Sequence, residues 1–165
     1  MTSKFYFAMI LSCTTLLLAA CNAQSMQLTL SLNLAELEAG QVVLEAELKN
    51  NGQESVELLP WNTPMEATLL GDLYRITHDA AVDAQALPYL GRMVKRAAPE
   101  VDDYVVLKAG EVLRNTQRLS EGYSFCANRA YRLEYIGVFV SRDNNVVPTR
   151  NNILNFTTGP SFPQC

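Results

Sequence analysis

The residues of this chain that could do chemistry are few and badly spaced for it. There is one histidine, His78. A zinc-protease helix of the H-E-x-x-H kind needs two histidines one turn apart, with a glutamate to activate water. One histidine cannot supply that pair, and His78 stands in "RITHDA", which reads as a strand running into a loop. A Ser-His-Asp triad could draw only on His78, and no G-x-S-x-G is present. Asp102 and Asp103 are adjacent, with Glu111 near in sequence, a paired-carboxylate site in outline. Adjacent side chains on an extended segment point apart, which makes it a weak one. No glycine-rich phosphate loop occurs. No catalytic residue, metal ligand or cofactor is therefore assigned, and the chain reads as a non-enzyme.

Cysteine usage points to the cell envelope. Lys4 is the only charged residue before Cys21, and an apolar run, "FYFAMILSCTTLLLAA", occupies residues 5–20. It is too short and too rich in hydroxyls for a spanning helix, and reads as a signal peptide over residues 1–20. It ends in "LAAC", which resembles a bacterial lipobox. There the cysteine thiol takes a diacylglycerol and cleavage leaves Cys21 as the lipidated N-terminus, with palmitate the expected further acyl chain. Ordinary secretion, with cleavage after Ala23, is the other reading. Asn22 is not the aspartate that signals inner-membrane retention, which favours the outer membrane of a diderm, facing the periplasm or the exterior. With Cys13 removed and Cys21 lipidated, Cys126 and Cys165 remain as a disulfide pair in an oxidising compartment, or as two free thiols.

Behind these residues stand elements of period two. "MQLTLSLN" sets Leu28, Leu30 and Leu32 on one face, and "QVVLEAELKN" does the same with Val42, Leu44, Ala46 and Leu48. "LEAG" reads as a turn, and "NNG" (residues 50–52) as a hairpin turn leading into a strand at "ESVELLP". Further strands are expected at "DLYRITH", "LPYLGRMVKR", "YVVLKAGEVLR" (two, about Lys108-Ala109-Gly110), "AYRLEYIGVFV" and "NILNFTT". "RDNN" reads as a turn. No long helical period occurs. The pattern predicts an all-β, immunoglobulin-like antiparallel sandwich of about seven to nine strands. It would span residues 26–158, after a linker at 21–25 and before a Pro-rich tail at 159–165. The formal charge of −4 gives no basic face for a phosphate backbone, so no nucleic-acid partner is expected.

The words "LPWNTPMEATLLGDLYRIT", "PYLGRMVKRAAPEVDDYVVLKAGEVL", "LSEGYSF" and "YRLEYIG" occur in this order. They resemble the N-terminal, non-catalytic precursor domain of deuterolysin-like and peptidyl-Lys zinc metalloendopeptidases over nearly all of residues 26–158. The resemblance implies a β-sandwich that accompanies a zinc domain in folding or latency. That zinc domain has no counterpart in this sequence, and a cysteine like Cys165 would be its first. The zinc ligands of the family have no positions here and none is carried over. "HDAAVDAQALPY" is longer than the corresponding tight hairpin.

The shared words also have readings of their own. Trp61, bracketed by Pro60 and Pro64, is expected as a core plug at one end of the sandwich, or as an anchor for a partner. Arg92, Lys95 and Arg96, followed by Glu100, Asp102 and Asp103, are expected to pair among themselves, or to dock on an acidic surface. Gly91 is expected where backbone approaches closely. The functional expectation is a membrane-anchored lipoprotein that binds a deuterolysin-like endopeptidase, as inhibitor or folding helper, through Trp61, Arg92, Lys95 and Arg96. The alternatives are an envelope lipoprotein with no protease partner and a remnant of a protease gene.

Overall fold

A computed structural model describes residues 27–38, 40–78 and 85–165. The signal peptide, the lipobox, Cys21 and the linker lie outside the described residues, as do residues 79–84 of the long segment before Tyr89. Among the described residues eleven strands run in order: β1 (Leu28–Glu38), β2 (Gln41–Asn50), β3 (Val56–Leu58), β4 (Tyr74–His78), β5 (Val105–Leu107), β6 (Val112–Arg118), β7 (Ala130–Tyr135), β8 (Phe139–Val140), β9 (Val146–Val147), β10 (Thr149–Asn151) and β11 (Leu154–Thr157). The fold is all-β, a sandwich as expected. Its strands exceed the expected number because the late chain is cut into short strands of two to four residues.

One layer has the order β10-β1-β2-β6 and the other β11-β7-β4, with two small pairs, β3-β5 and β8-β9, beside them. All pairings are antiparallel but one: β1 and β10 run parallel. The period-two faces seen in the sequence are the buried ones. Leu28, Leu30, Leu32, Val42, Leu44, Ala46 and Leu48 join Ile76, Leu133 and a set of aromatic rings in one contiguous core. Tyr131 lies between Phe125 and Phe156, with ring centroids 5.2 and 5.5 Å away. A bulge between Leu34 and Glu36 shifts the register of β1 by one residue. With that shift Leu37 packs against the core. Glu38 then pairs with Gln41 across a turn in which Gly40 has φ 77°, a conformation that costs a glycine little.

Several expected elements differ. "NNG" is not a hairpin turn, because the strand after it pairs with β5 and not with β2. Asn50 is fully buried there. Its amide donates to the carbonyls of Glu54 (2.8 Å) and Leu107 (3.0 Å) and accepts from Gly52 N–H (2.9 Å), where the chain leaves the first layer for the small β3-β5 pair. "LPYLGRMVKR" forms no strand. "AYRLEYIGVFV" breaks after Tyr135, with Ile136 and Val138 exposed and Phe139 re-entering the core from β8. The expected tail folds back: Phe162 is buried, and Ala127 N–H donates to Pro163 O at 2.8 Å.

Candidate functional site

The loop that carries Trp61 is built on two amides of β6. Asn115 and Gln117 stand two apart on a strand and so point to one face. Asn115 Nδ2 donates to the carbonyls of Pro64 (2.9 Å) and Glu66 (2.7 Å). Gln117, 1% exposed, donates to those of Thr63 (3.2 Å) and Glu66 (2.8 Å) and accepts from Tyr74 OH at 2.6 Å. The Thr63 hydroxyl donates to Pro60 O at 2.6 Å and accepts from Met65 N–H at 3.1 Å. The carbonyls of this loop thus find buried donors, which fixes a segment with no strand or helix of its own.

Trp61 stands on that platform outside the core cluster, half-buried, so it is not the expected core plug. The Arg96 guanidinium covers its ring at 4.7 Å from the centroid. Arg96 also forms an ion pair with Glu66, whose carboxylate accepts from Asn62 N–H at 2.9 Å. Sequence separates Trp61 from Arg96 and the fold joins them. Arg92 and Lys95, by contrast, are exposed. Of the acidic residues expected to pair with this cluster, none forms an ion pair with it, and Asp103 is used within its own turn. Asp103 accepts from Glu100 N–H at 2.7 Å, closing a short 3-10 turn, and Glu111 accepts from Lys108 N–H at 2.7 Å. Of the paired-carboxylate outline, Asp103 and Glu111 thus each accept from a backbone N–H of their own turn.

The second half of the face is residues 87–96. Leu90 N–H donates to Gly122 O at 2.7 Å, and Tyr89 OH contacts the carbonyls of Leu69 (3.1 Å) and Arg92 (2.8 Å). A Cβ on Gly91 would lie 2.5 Å from Tyr89 OH, so the close approach expected of Gly91 is present, made by a side chain. Burial and the nearby charge of Asp72 hold the Tyr89 hydroxyl above its ordinary pKa. Burial, then donation to Asp72 at 2.8 Å, pushes Tyr123 up further. Leu90, Met93 and Val94 are 66, 81 and 49% exposed. Sequence reading missed these three, having given them to a strand. The signal was there: apolar positions 90, 93 and 94 do not keep period two, and Pro88 and Pro99 bracket them. An open hollow of about 450 Å³ beside them is lined by Thr68, Leu69, Leu70, Arg92 and Glu121.

The remaining candidates lie elsewhere. His78 ends β4, its ring 5.1 Å from that of its cross-strand partner Tyr131. Among the described residues, no group of three or more His, Cys, Asp or Glu side chains could hold a metal ion. Cys126 and Cys165 are disulfide-bonded, with Cα atoms 5.5 Å apart. Among the described residues no helix is long and apolar enough to cross a membrane.

Residues 61 and 90–96 thus hold an aromatic–cation pair, three exposed apolar side chains and two exposed cations. The chain is similar to part of a protease. It is 30% identical over 119 residues to an extracellular protease of Aeromonas hydrophila, a match that covers 72% of this chain and 33% of that protein. The chain thus spans about a third of the length of the relative it matches. No family model matches. Among solved structures, a β-glucuronidase 2 of Bacteroides uniformis is similar over 81% of this chain and 14% of its own. At 16% identity and a TM-score of 0.33, that likeness carries no functional argument.

Proposed function

We propose that this chain is a non-catalytic, protease-associated β-sandwich that docks on a zinc endopeptidase of the deuterolysin type. The observation that carries the reading is the similarity to a 33% portion of an extracellular protease, taken with the protease-precursor words around Trp61 and Tyr89. The single histidine adds to it, since this sequence cannot by itself build a two-histidine zinc helix. The docking face is the Trp61–Arg96 pair with Leu90, Arg92, Met93, Val94 and Lys95. It has an apolar centre and a basic rim, which fits an acidic-rimmed partner.

Titration of the purified chain into such an endopeptidase tests this. Binding at micromolar concentration or tighter, with altered proteolysis, is expected. Met93→Glu and Lys95→Glu, both at exposed positions, should weaken binding at least about tenfold with little change in stability. No binding at micromolar concentrations would leave an envelope lipoprotein without a protease partner as the better reading.

The anchor belongs to the same proposal. Cys21 is the lipid-bearing residue, and the protein partitions into detergent in a way that Cys21→Ser abolishes. A native protein with a free amine at Gln24 would remove the anchor.

A further inference from the structure

Residues 91–99, ahead of β5, are set apart by their backbone. Among the described residues, no backbone–backbone hydrogen bond involves residues 91–99. From Arg92 to Glu100 the chain runs without helix, strand pairing or bend. It is tied at one end by Leu90 N–H to Gly122 O and by Tyr89 OH to Arg92 O. Further along it is tied by Arg96, held by Trp61 and Glu66. Between the ties, Met93, Val94 and Lys95 are exposed. Endopeptidases bind extended, accessible backbone, which most surface segments offer only after local unfolding. Here residues 92–95 are exposed and outside any helix, strand or bend in the native state. They also carry two exposed cations, the side chains that an acidic specificity pocket reads.

We propose that residues 92–96 are a proteolytic processing site for endopeptidases of basic specificity, and that the cut leaves the domain assembled. This is independent of whether a zinc endopeptidase docks on the face. Hydrolysis after Lys95 consumes one water. The amide C–N bond to Arg96 breaks, the Lys95 carbonyl carbon takes the water oxygen and becomes a carboxylate, and the Arg96 nitrogen leaves as an ammonium. Cleavage after Arg92 follows the same balance once its carbonyl has left Tyr89 OH. The other described Lys and Arg residues stand in strands or in hydrogen-bonded turns. Arg142 N–H, for example, donates to Glu57 O at 3.1 Å and Arg129 N–H to Thr158 Oγ at 3.1 Å.

Topology decides the fate of the cut chain. The break separates β1–β4 from β5–β11, and the pairs β1·β10, β2·β6, β3·β5 and β4·β7 all cross it. The Cys126–Cys165 bond lies within the second fragment and does not link the two. Strand pairing, the shared core and side-chain hydrogen bonds such as Asn115 to Pro64 O and Tyr123 to Asp72 hold the halves together.

Trypsin at limiting ratio, on the full chain in detergent without reductant, is the test, with cleavage read by mass spectrometry. Within residues 27–165 the first cut should follow Arg92 or Lys95. The nicked protein should elute as one particle with unchanged circular dichroism and separate into two fragments in denaturant. Arg92→Gln/Lys95→Gln should slow the first cut more than about tenfold, because the pocket needs a cation. A first cut elsewhere, or none while the unfolded chain is digested, overturns the site. Fragments that part after cutting there overturn the assembly.

Discussion

Arg96 serves two partners with one group. Its guanidinium lies over the Trp61 ring and pairs with Glu66, whose side chain is 14% exposed. Shielding makes both contacts stronger than on an open surface, about 1–2 kcal/mol for the cation over the ring. The tyrosines form the other residue-scale system. Burial holds the hydroxyls of Tyr74, Tyr123 and Tyr135 above their ordinary range, and Tyr123 is raised also by its bond to Asp72. A phenol whose folded pKa exceeds its unfolded value contributes fully below the unfolded value of about 10. Above it, the unfolded chain releases protons that the folded chain keeps, so stability falls by about 1.4 kcal/mol per pH unit for each such tyrosine. We expect urea midpoints that are flat on the alkaline side until pH about 10 and then drop steeply. In an absorbance titration at alkaline pH, Tyr74, Tyr123 and Tyr135 should ionise only on unfolding. Ordinary titration of all tyrosines in the folded protein would refute the buried network.

At the scale of elements, the segment before β5 depends on a fit between two glycines and one ring. Tyr89 packs at 5.4 Å centroid distance on Tyr123 and against both Gly91 and Gly122. A methyl at Gly122 would meet the Tyr89 ring and lie 2.8 Å from Leu69 Cδ2. The ring is rigid and tied through its hydroxyl, so it has little room to yield. Gly122→Ala is expected to cost about 1–3 kcal/mol by overpacking. It should also raise the rate of tryptic cutting near Lys95, since the displaced ring is what holds Arg92. Unchanged urea stability and unchanged cutting would show that Tyr89 is not the fastening.

For the whole molecule, the last residues complete the sandwich. Phe162 enters the core and the Cys126–Cys165 bond closes a sequence separation of 39 residues. A cross-link over a loop of that size removes chain entropy worth about 4 kcal/mol from the unfolded state. Cys165→Ser should therefore lower unfolding free energy by about that amount in urea, and in the unsubstituted protein Cys126 and Cys165 should react with thiol reagents only after reduction. A loss below about 1 kcal/mol would mean that Phe162 and the Pro163 carbonyl seat the segment unaided.

Sequence by itself determined the faces. Leu28, Leu30 and Leu32, and Val42 to Leu48 on alternate positions, could bury only as strands, because period two puts every second side chain on one side. It also determined the absence of a second histidine. Pairing was decided by the tertiary structure. Residues 50–52 look like a hairpin turn, yet Asn50 is buried and bonds the carbonyl of Leu107, a residue 57 positions away that no local pattern announces. Residues 87–96 look strand-like, but contact with the β4 edge ends at Ala86, bridged to Thr77, and Leu87, whose N–H donates to Ile76 O, so Leu90, Met93 and Val94 are left facing solvent. Trp61 and Arg96 were legible one by one as candidates. Their stacking was not, because it depends on amides of β6 holding one loop where the far end of another segment passes. Long-range hydrogen bonds and shared burial are properties of the assembled chain, and they, rather than periodicity, placed the face.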